Sequence, residues 1–394
     1  MGAHSTLLDR NRLVRAARLW CLIAPLLAAA YLARQLTAGW TDGAGHPFGE
    51  DFLNFWSGAR LSLAGEWTRI YDMAAFHRFE TMTVGGPIDF YHYSYPPVTW
   101  LLTAPFGALP YPVAWAAWQA SGLIAFATAV RRIAPDHWRL IALASPALLI
   151  NFLGGQNGAW TAAALGWGLI LLERKPLLAG AILAAFVIKP QLGWLIPLAL
   201  LAGRQWRALA GFSGTATLLL GLSWLMFGTE AWIAYAEQGA RLKSVILEAG
   251  SGTWHRMLSV FVLVRHAGAP LWIAYAAQAA ASLAVAALVA RLWHARPGER
   301  EAKAALVLGA LAGSLYVSDY DCVMLTLAAC WLWPQADERG RAAIAAAMVV
   351  PLLAAPLALS TGLALGAFAL WAPLVWLALR SAAPERRGER PQPA

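Results

Sequence analysis

Apolar residues run along this chain in long blocks separated by short polar segments, rather than alternating with them. A block of roughly 17–25 apolar residues is long enough to cross a bilayer as a helix, and shorter blocks do so where flanking residues snorkel. The pattern predicts twelve spans, near residues 19–38, 112–130, 139–153, 158–172, 177–189, 190–203, 208–227, 271–292, 303–317, 322–334, 342–359 and 362–379. The expected fold class is therefore all-α: a polytopic integral membrane bundle forming one transmembrane unit over residues 1–394. It has a long first outer loop at 39–96, a second at 228–270 and a tail at 380–394. Segment 97–109 is apolar, short and bounded by prolines, so it is read as re-entrant or a partial span. Within the first loop Phe52, Phe55, Trp56, Ala59 and Leu63 recur at helical spacing, which predicts an amphipathic helix along the membrane surface.

Composition agrees with the pattern. Hydrophobic residues make up 59% of the 394 and charged residues 13%. So few charges cannot cover a water-soluble or disordered chain of this length. The net charge of +9 would suggest nucleic acid in a soluble protein, but here its location matters more. Of the 30 Lys and Arg residues, 21 fall in the segments 1–18, 131–139, 173–175, 204–207, 291–303, 337–341 and 380–394. Short loops rich in Lys and Arg face the cytoplasm. The expectation is thus a multi-pass protein of the inner (plasma) membrane with both termini cytoplasmic and no nucleic-acid partner. The apolar run containing Ala28-Ala29-Ala30 behind four arginines also fits a signal peptide, but an uncleaved first span is preferred. Met1-Gly2 with Thr6 matches a myristoylation pattern of low specificity. Cys21, Cys322 and Cys330 lie in apolar spans without metal or disulfide spacing, as packed thiols do.

The unusual polar residues fall on the predicted outer face. They are Glu50-Asp51, Gly155-Gln156-Asn157, Lys189-Pro190-Gln191 and Ser318-Asp319-Tyr320-Asp321. Ionisable groups at membrane depth are costly and usually face a functional cavity, so four such groups point to one shared site. Asp51 opens the first-loop helix, as an N-cap does; a carboxylate there can also take a proton from an alcohol. Asp72 reads as the cap of a second helix from Met73 to Met82. The run from Phe90 to Pro97, with Tyr93 and Tyr95, reads equally as an interfacial aromatic belt and as a platform for sugar or lipid. Lys189 either snorkels to the interface or meets a phosphate as a point charge. Gln156 and Asn157 fit helix packing or hydrogen bonding into a cavity. Asp319 and Asp321 fit caps, a proton site or a weak metal site; two carboxylates are too few to argue for a metal. His255 and Arg256 sit in the second loop. No phosphate-cradling loop, dinucleotide fingerprint or nucleophile elbow is present, so no cofactor is expected and an activated substrate must arrive from the membrane.

Several of these runs resemble glycosyltransferase family 87. They are Asp51-Phe52 through Trp56, Gly58-Ala59-Arg60-Leu61, Gly65, Ile70-Tyr71-Asp72 and Tyr95-Pro96-Pro97. Pro105-Phe106-Gly107, Leu109-Pro110-Tyr111, Gly155-Gln156-Asn157 and Lys189-Pro190-Gln191 continue in order, over roughly residues 45–330. The resemblance implies a GT-C type helical bundle that takes a hexose, often mannose, from a polyprenyl-phosphate carrier. It implies transfer on the outer side of the membrane, with inversion, to a lipid- or glycan-linked acceptor. Asp51 corresponds to the general base and Lys189 to a cation at the carrier phosphate. Arg60 and Arg256 are further candidates for the phosphate, and Gln156, Asn157, Gln191, Tyr93, Tyr95, His255, Asp319 and Asp321 for substrate. Where some members of the family carry histidines late in the chain, this one has Ser318-Asp319-Tyr320-Asp321. Two other classes compete: a transporter or lipid flippase without chemistry, which twelve spans would suit, and a polysaccharide ligase, which would call for a deep basic patch.

Overall fold

Proline and glycine decide where the long apolar blocks become helices and where they break. The computed structural model describes residues 10–382. Among these the chain is all-α, with three isolated bridges instead of strands. Among the described residues, five helices are long and apolar enough to cross a membrane: Asn11–Arg34, Tyr111–Ile133, Trp206–Glu248, Leu271–Ala295 and Glu338–Thr361. Other expected spans fall on shorter apolar helices, including Gly158–Leu171, Pro176–Ile188, Pro190–Ala202 and Gly366–Ala382. The block at 139–153 divides into Trp138–Leu143 and Pro146–Leu153. The spans expected at 177–189 and 190–203 meet at Lys189, which leaves helical geometry (φ −133°, ψ 67°) before Pro190. In both cases the proline ring disfavours helix at the preceding residue.

The outer flanks carry the apolar surface that such a chain must hide from water. Leu26 is 70% exposed and Leu283 71%. Apolar bands of this kind are stable only against lipid or a partner, and together with the spanning helices they make this a membrane protein. Inside the bundle, helices meet at small residues. A β-carbon on Gly180 would lie 1.8 Å from the Ala208 carbonyl oxygen, and one on Gly211 would lie 2.1 Å from that of Leu177. The backbones of Pro176–Leu183 and Trp206–Leu242 therefore touch directly, as membrane helices do where glycine permits it.

Two details depart from the sequence pattern. The first-loop helix, Phe52–Leu63, is not a surface helix: Phe52, Asn54, Phe55, Ser57 and Ala59 are all buried. Protein covers both its apolar and its polar sides, because helix Val98–Gly107 packs along it, with Gly107 against Ala59. That ten-residue helix is the ambiguous segment 97–109, and at 1.5 Å per residue it rises about 15 Å, half a bilayer. The second outer loop begins as helix, since Trp206–Leu242 continues past Gly228, where φ of 76° and ψ of 172° bend it. Asp72 does cap Met73–Val84, accepting from the Ala75 N–H at 2.9 Å. Met1, Gly2 and Thr6 of the acylation pattern, and the tail beyond 382, lie outside the described residues.

Candidate active site

The four polar runs meet, held by backbone contacts that each local sequence makes possible. Asp51 sits at the N-terminus of Phe52–Leu63, but its side chain does not cap that helix. It accepts instead from the Gln156 side-chain amide, and its own N–H donates to the Gly154 carbonyl at 3.2 Å. Gln156 reaches it because Gly155 turns the chain with φ of +59°. A β-carbon on Gly155 would stand 2.0 Å from the Gly49 oxygen, so only glycine lets the two loops close. The Gln156 backbone is fixed by Asn151 (2.9 Å) and by the indole N–H of Trp118 (3.3 Å).

Two ion pairs face this carboxylate. Lys189 Nζ lies 2.6 Å from Asp321 Oδ1, with both side chains almost fully buried. Arg256 grips Asp319 with two hydrogen bonds of 3.0 and 3.1 Å while about a third of its side chain stays exposed. The Arg256 turn is pinned to the segment before Asp319 by the Met257–Ser318 bridge and by the Leu258 N–H on the Val317 carbonyl (3.0 Å). Tyr320 lies between the two pairs. Lys189 Nζ is 4.6 Å from its ring centre and the Arg256 guanidinium 5.8 Å. Each carboxylate takes a further backbone bond, Asp321 from the Ser318 N–H and Asp319 from the Tyr320 N–H. Among the described residues no three His, Cys, Asp or Glu side chains gather as a metal site.

These surroundings tune the charges. Burial pushes the Asp51 carboxyl up to about 6; Arg256 opposes the rise, Glu50 adds to it, and Gln156 and Lys189 oppose it. Burial works against the Arg256 charge, but the Asp319 carboxylate and its hydrogen bonds outweigh it and hold that guanidinium above its ordinary pKa. Half-buried His255 is held below the ordinary range, by burial first and by its neighbour Arg256 second.

Not every predicted residue joins the cluster. Asp51, Gln156, Lys189, Arg256, Asp319 and Asp321 come together, with His255 beside Arg256. Tyr95 packs on Phe55 at 4.7 Å between ring centres. Its phenol is held well above its usual pKa by burial first, then by the charges of Asp51 and Asp321. Asn157 is buried with neither side-chain atom hydrogen-bonded, and it lines an apolar cavity of about 250 Å³ with Phe55, Trp118 and Ile188. Arg60 is elsewhere: it lies nine residues along the helix from Asp51, about 13 Å, and donates to the Gly107 carbonyl. Tyr93 is fully buried against Phe76, Trp100 and Gly58, so it serves packing rather than a platform. Gln191 is half-buried beyond Pro190 and makes no side-chain bond to the cluster.

Two acidic residues matter more than the sequence suggested. Glu50 adopts a left-handed φ of 48° and is held by the Tyr31 hydroxyl, by Gln35 (3.1 Å) and by the Tyr91 hydroxyl (2.5 Å). A charged residue in that conformation beside Asp51 is a strained position that the fold enforces. Glu80, on Met73–Val84, is fully buried with both oxygens unpaired. Burial first and the Asp51 charge second push its pKa well up. Its place in an ordinary amphipathic helix carried no signal.

The model of glycosyltransferase family 87 matches residues 93–319, more than half of the chain. That stretch contains Gln156, Lys189, Arg256 and Asp319, while Asp51 precedes it and Asp321 follows it. No curated protein and no solved structure matches. The chain belongs to glycosyltransferase family 87, and it is a membrane-embedded glycosyltransferase.

Proposed function

We propose that the protein transfers a hexose, mannose by the family resemblance, from a polyprenyl-phosphate sugar to a hydroxyl of a lipid- or glycan-linked acceptor. Asp51 is the general base. The observation that carries this reading is a carboxylate whose burial raises its pKa to about 6, facing two cations already held by their own carboxylates. Such a group is ionised at neutral pH yet basic enough to accept a hydroxyl proton. The acceptor oxygen attacks the anomeric carbon as its proton moves to Asp51. The bond from that carbon to the carrier phosphate breaks on the opposite face, its electron pair going to phosphate oxygen, so the configuration inverts.

The leaving phosphate needs a cation more than a proton. Arg256 is the better placed to meet it, because about a third of its side chain is exposed, whereas Lys189 is buried on Asp321. Lys189 then acts by holding Asp321 and Tyr320 in place, and Arg60, remote from the cluster, takes no part. The 250 Å³ apolar cavity beside Ile188 supports a lipid-borne donor, since an isoprenoid segment fits its Phe55, Trp118 and Ile188 walls. Asn157, unpaired at that wall, is available to a sugar hydroxyl or phosphate oxygen. The convergence of basic segments at the opposite end of the bundle supports an extracytoplasmic site and cytoplasmic termini.

The test is incubation of the purified protein with a panel of polyprenyl-phosphate sugars and lipid or glycan acceptors, with products resolved by mass spectrometry and the anomer assigned by NMR. An inverted product from a lipid-phosphate sugar, lost in Asp51→Asn of normal fold, is expected. Turnover with nucleotide sugars alone would overturn the donor assignment, and full turnover by Asp51→Asn would overturn the base.

A further inference from the structure

At the end of the bundle opposite Asp51, helices Tyr111–Ile133, Gly158–Leu171 and Arg300–Ala312 surround a cavity of about 1440 Å³. Tyr111–Ile133 has 23 residues and so spans about 34 Å, close to one hydrocarbon thickness. The cavity therefore lies at the other membrane surface from the candidate active site. Its mouth carries Arg132, Arg174, Lys175 and Arg300, whose side chains have no ion-pair or hydrogen-bond partner among the described residues. Lys303 and Arg380 also line it, each loosely paired at 3.4 Å with Glu173 and Glu301. Asp136 and Glu299 are the remaining acidic lining residues. Deeper walls are apolar, from Ile141, Trp167, Ile170 and Trp331.

We infer that this cavity binds the headgroup of an anionic phospholipid, with its phosphate among Arg132, Arg174, Lys175 and Arg300. Four cations left unpaired in one hollow repel each other, and an anion relieves that repulsion. A soluble phosphate would need only the charges. The apolar wall beneath them favours a ligand that is anionic at one end and hydrocarbon at the other. Basic clusters at the end of a transmembrane bundle attract such headgroups. The site is independent of the donor proposed above, and its ligand is structural or regulatory rather than consumed.

The experiment uses the full chain reconstituted in nanodiscs of phosphatidylcholine with a minor fraction of phosphatidylglycerol. Native mass spectrometry counts the lipids retained after release. Replacing Arg132, Arg174, Lys175 and Arg300 together by alanine should lower retained phosphatidylglycerol at least about tenfold and leave phosphatidylcholine unchanged. Arg204→Ala with Arg207→Ala, cations outside the cavity, should change neither. If the fourfold variant does not elute as a folded species, Arg132→Gln with Arg174→Gln should still show a loss of several-fold. Equal loss in the Arg204 and Arg207 control would mean surface charge alone and overturn the site. Displacement of phosphatidylglycerol by millimolar inorganic phosphate would make it a site for soluble phosphate and overturn the lipid assignment.

Discussion

The Asp51→Asn variant should be inactive and yet more stable than the native protein near neutral pH. The native carboxyl is raised from 3.8 to about 6, a difference of about 2 pH units. At about 1.4 kcal/mol per unit, keeping that charge costs at most about 3 kcal/mol of stability above pH 6. The sign follows from proton counting. Between the two pKa values the folded chain holds the proton more tightly than the unfolded chain. This group's favourable contribution is complete below about 4 and is lost as pH rises through about 6. Asparagine never ionises, and its amide oxygen can still accept from Gln156. The stability gap between variant and native should therefore be largest at pH 7.5, with the variant higher, and should shrink steadily toward pH 5. Thermal unfolding of both proteins in the same detergent or nanodisc, across that range, measures it, with transfer activity assayed in parallel. A variant that is less stable at every pH, or a gap that ignores pH, would refute the argument that Asp51 is a carboxylate kept charged at a cost for use as a base.

Three further outcomes are expected. In the native enzyme kcat/KM should fall about tenfold per pH unit below pH 6, because protonated Asp51 cannot accept the acceptor's proton; a flat profile from pH 5 to 7 would count against the base. Lys189→Met should cost about 3–5 kcal/mol by leaving buried Asp321 without its partner, and adding Asp321→Asn should recover most of that loss. Thermal unfolding of the single and double variants, which should differ clearly, decides it. Gly155→Ala should lose activity through displacement of Gln156 from Asp51, since the new methyl would meet the Gly49 oxygen; unchanged turnover and unfolding temperature would show that the loop yields.

The polar runs were legible because a charge in an apolar block has few reasons to be there. Lys189, Gln156 and the Asp319–Asp321 pair stand out of their surroundings for that reason, and all reach one cluster. Arg256 is harder to separate from His255, because a basic residue in a loop normally meets solvent. Glu80 gave no sign, since its helix pattern tolerates a polar residue on either face. The surface placement of Phe52–Leu63 failed for a related reason. Its apolar spacing marks the helix, but its polar side is covered by Val98–Gly107, a contact that the spacing of Phe52–Leu63 does not show.

Composition and apolar block length by themselves determined the solvent, the helical class and which end of the bundle is basic, because each depends on summed transfer energy along the chain rather than on contacts. Local chemistry also marked the break before Pro190 and the Asp72 cap, whereas the break before Pro146 shows only in the structure. The tertiary structure alone decided which carboxylate meets which cation. Asp321 takes Lys189 and Asp319 takes Arg256, while Asp51 accepts from the amide of Gln156. Those pairings join residues more than 60 positions apart, and they set the charge state of the site through burial and distance, neither of which a linear sequence contains.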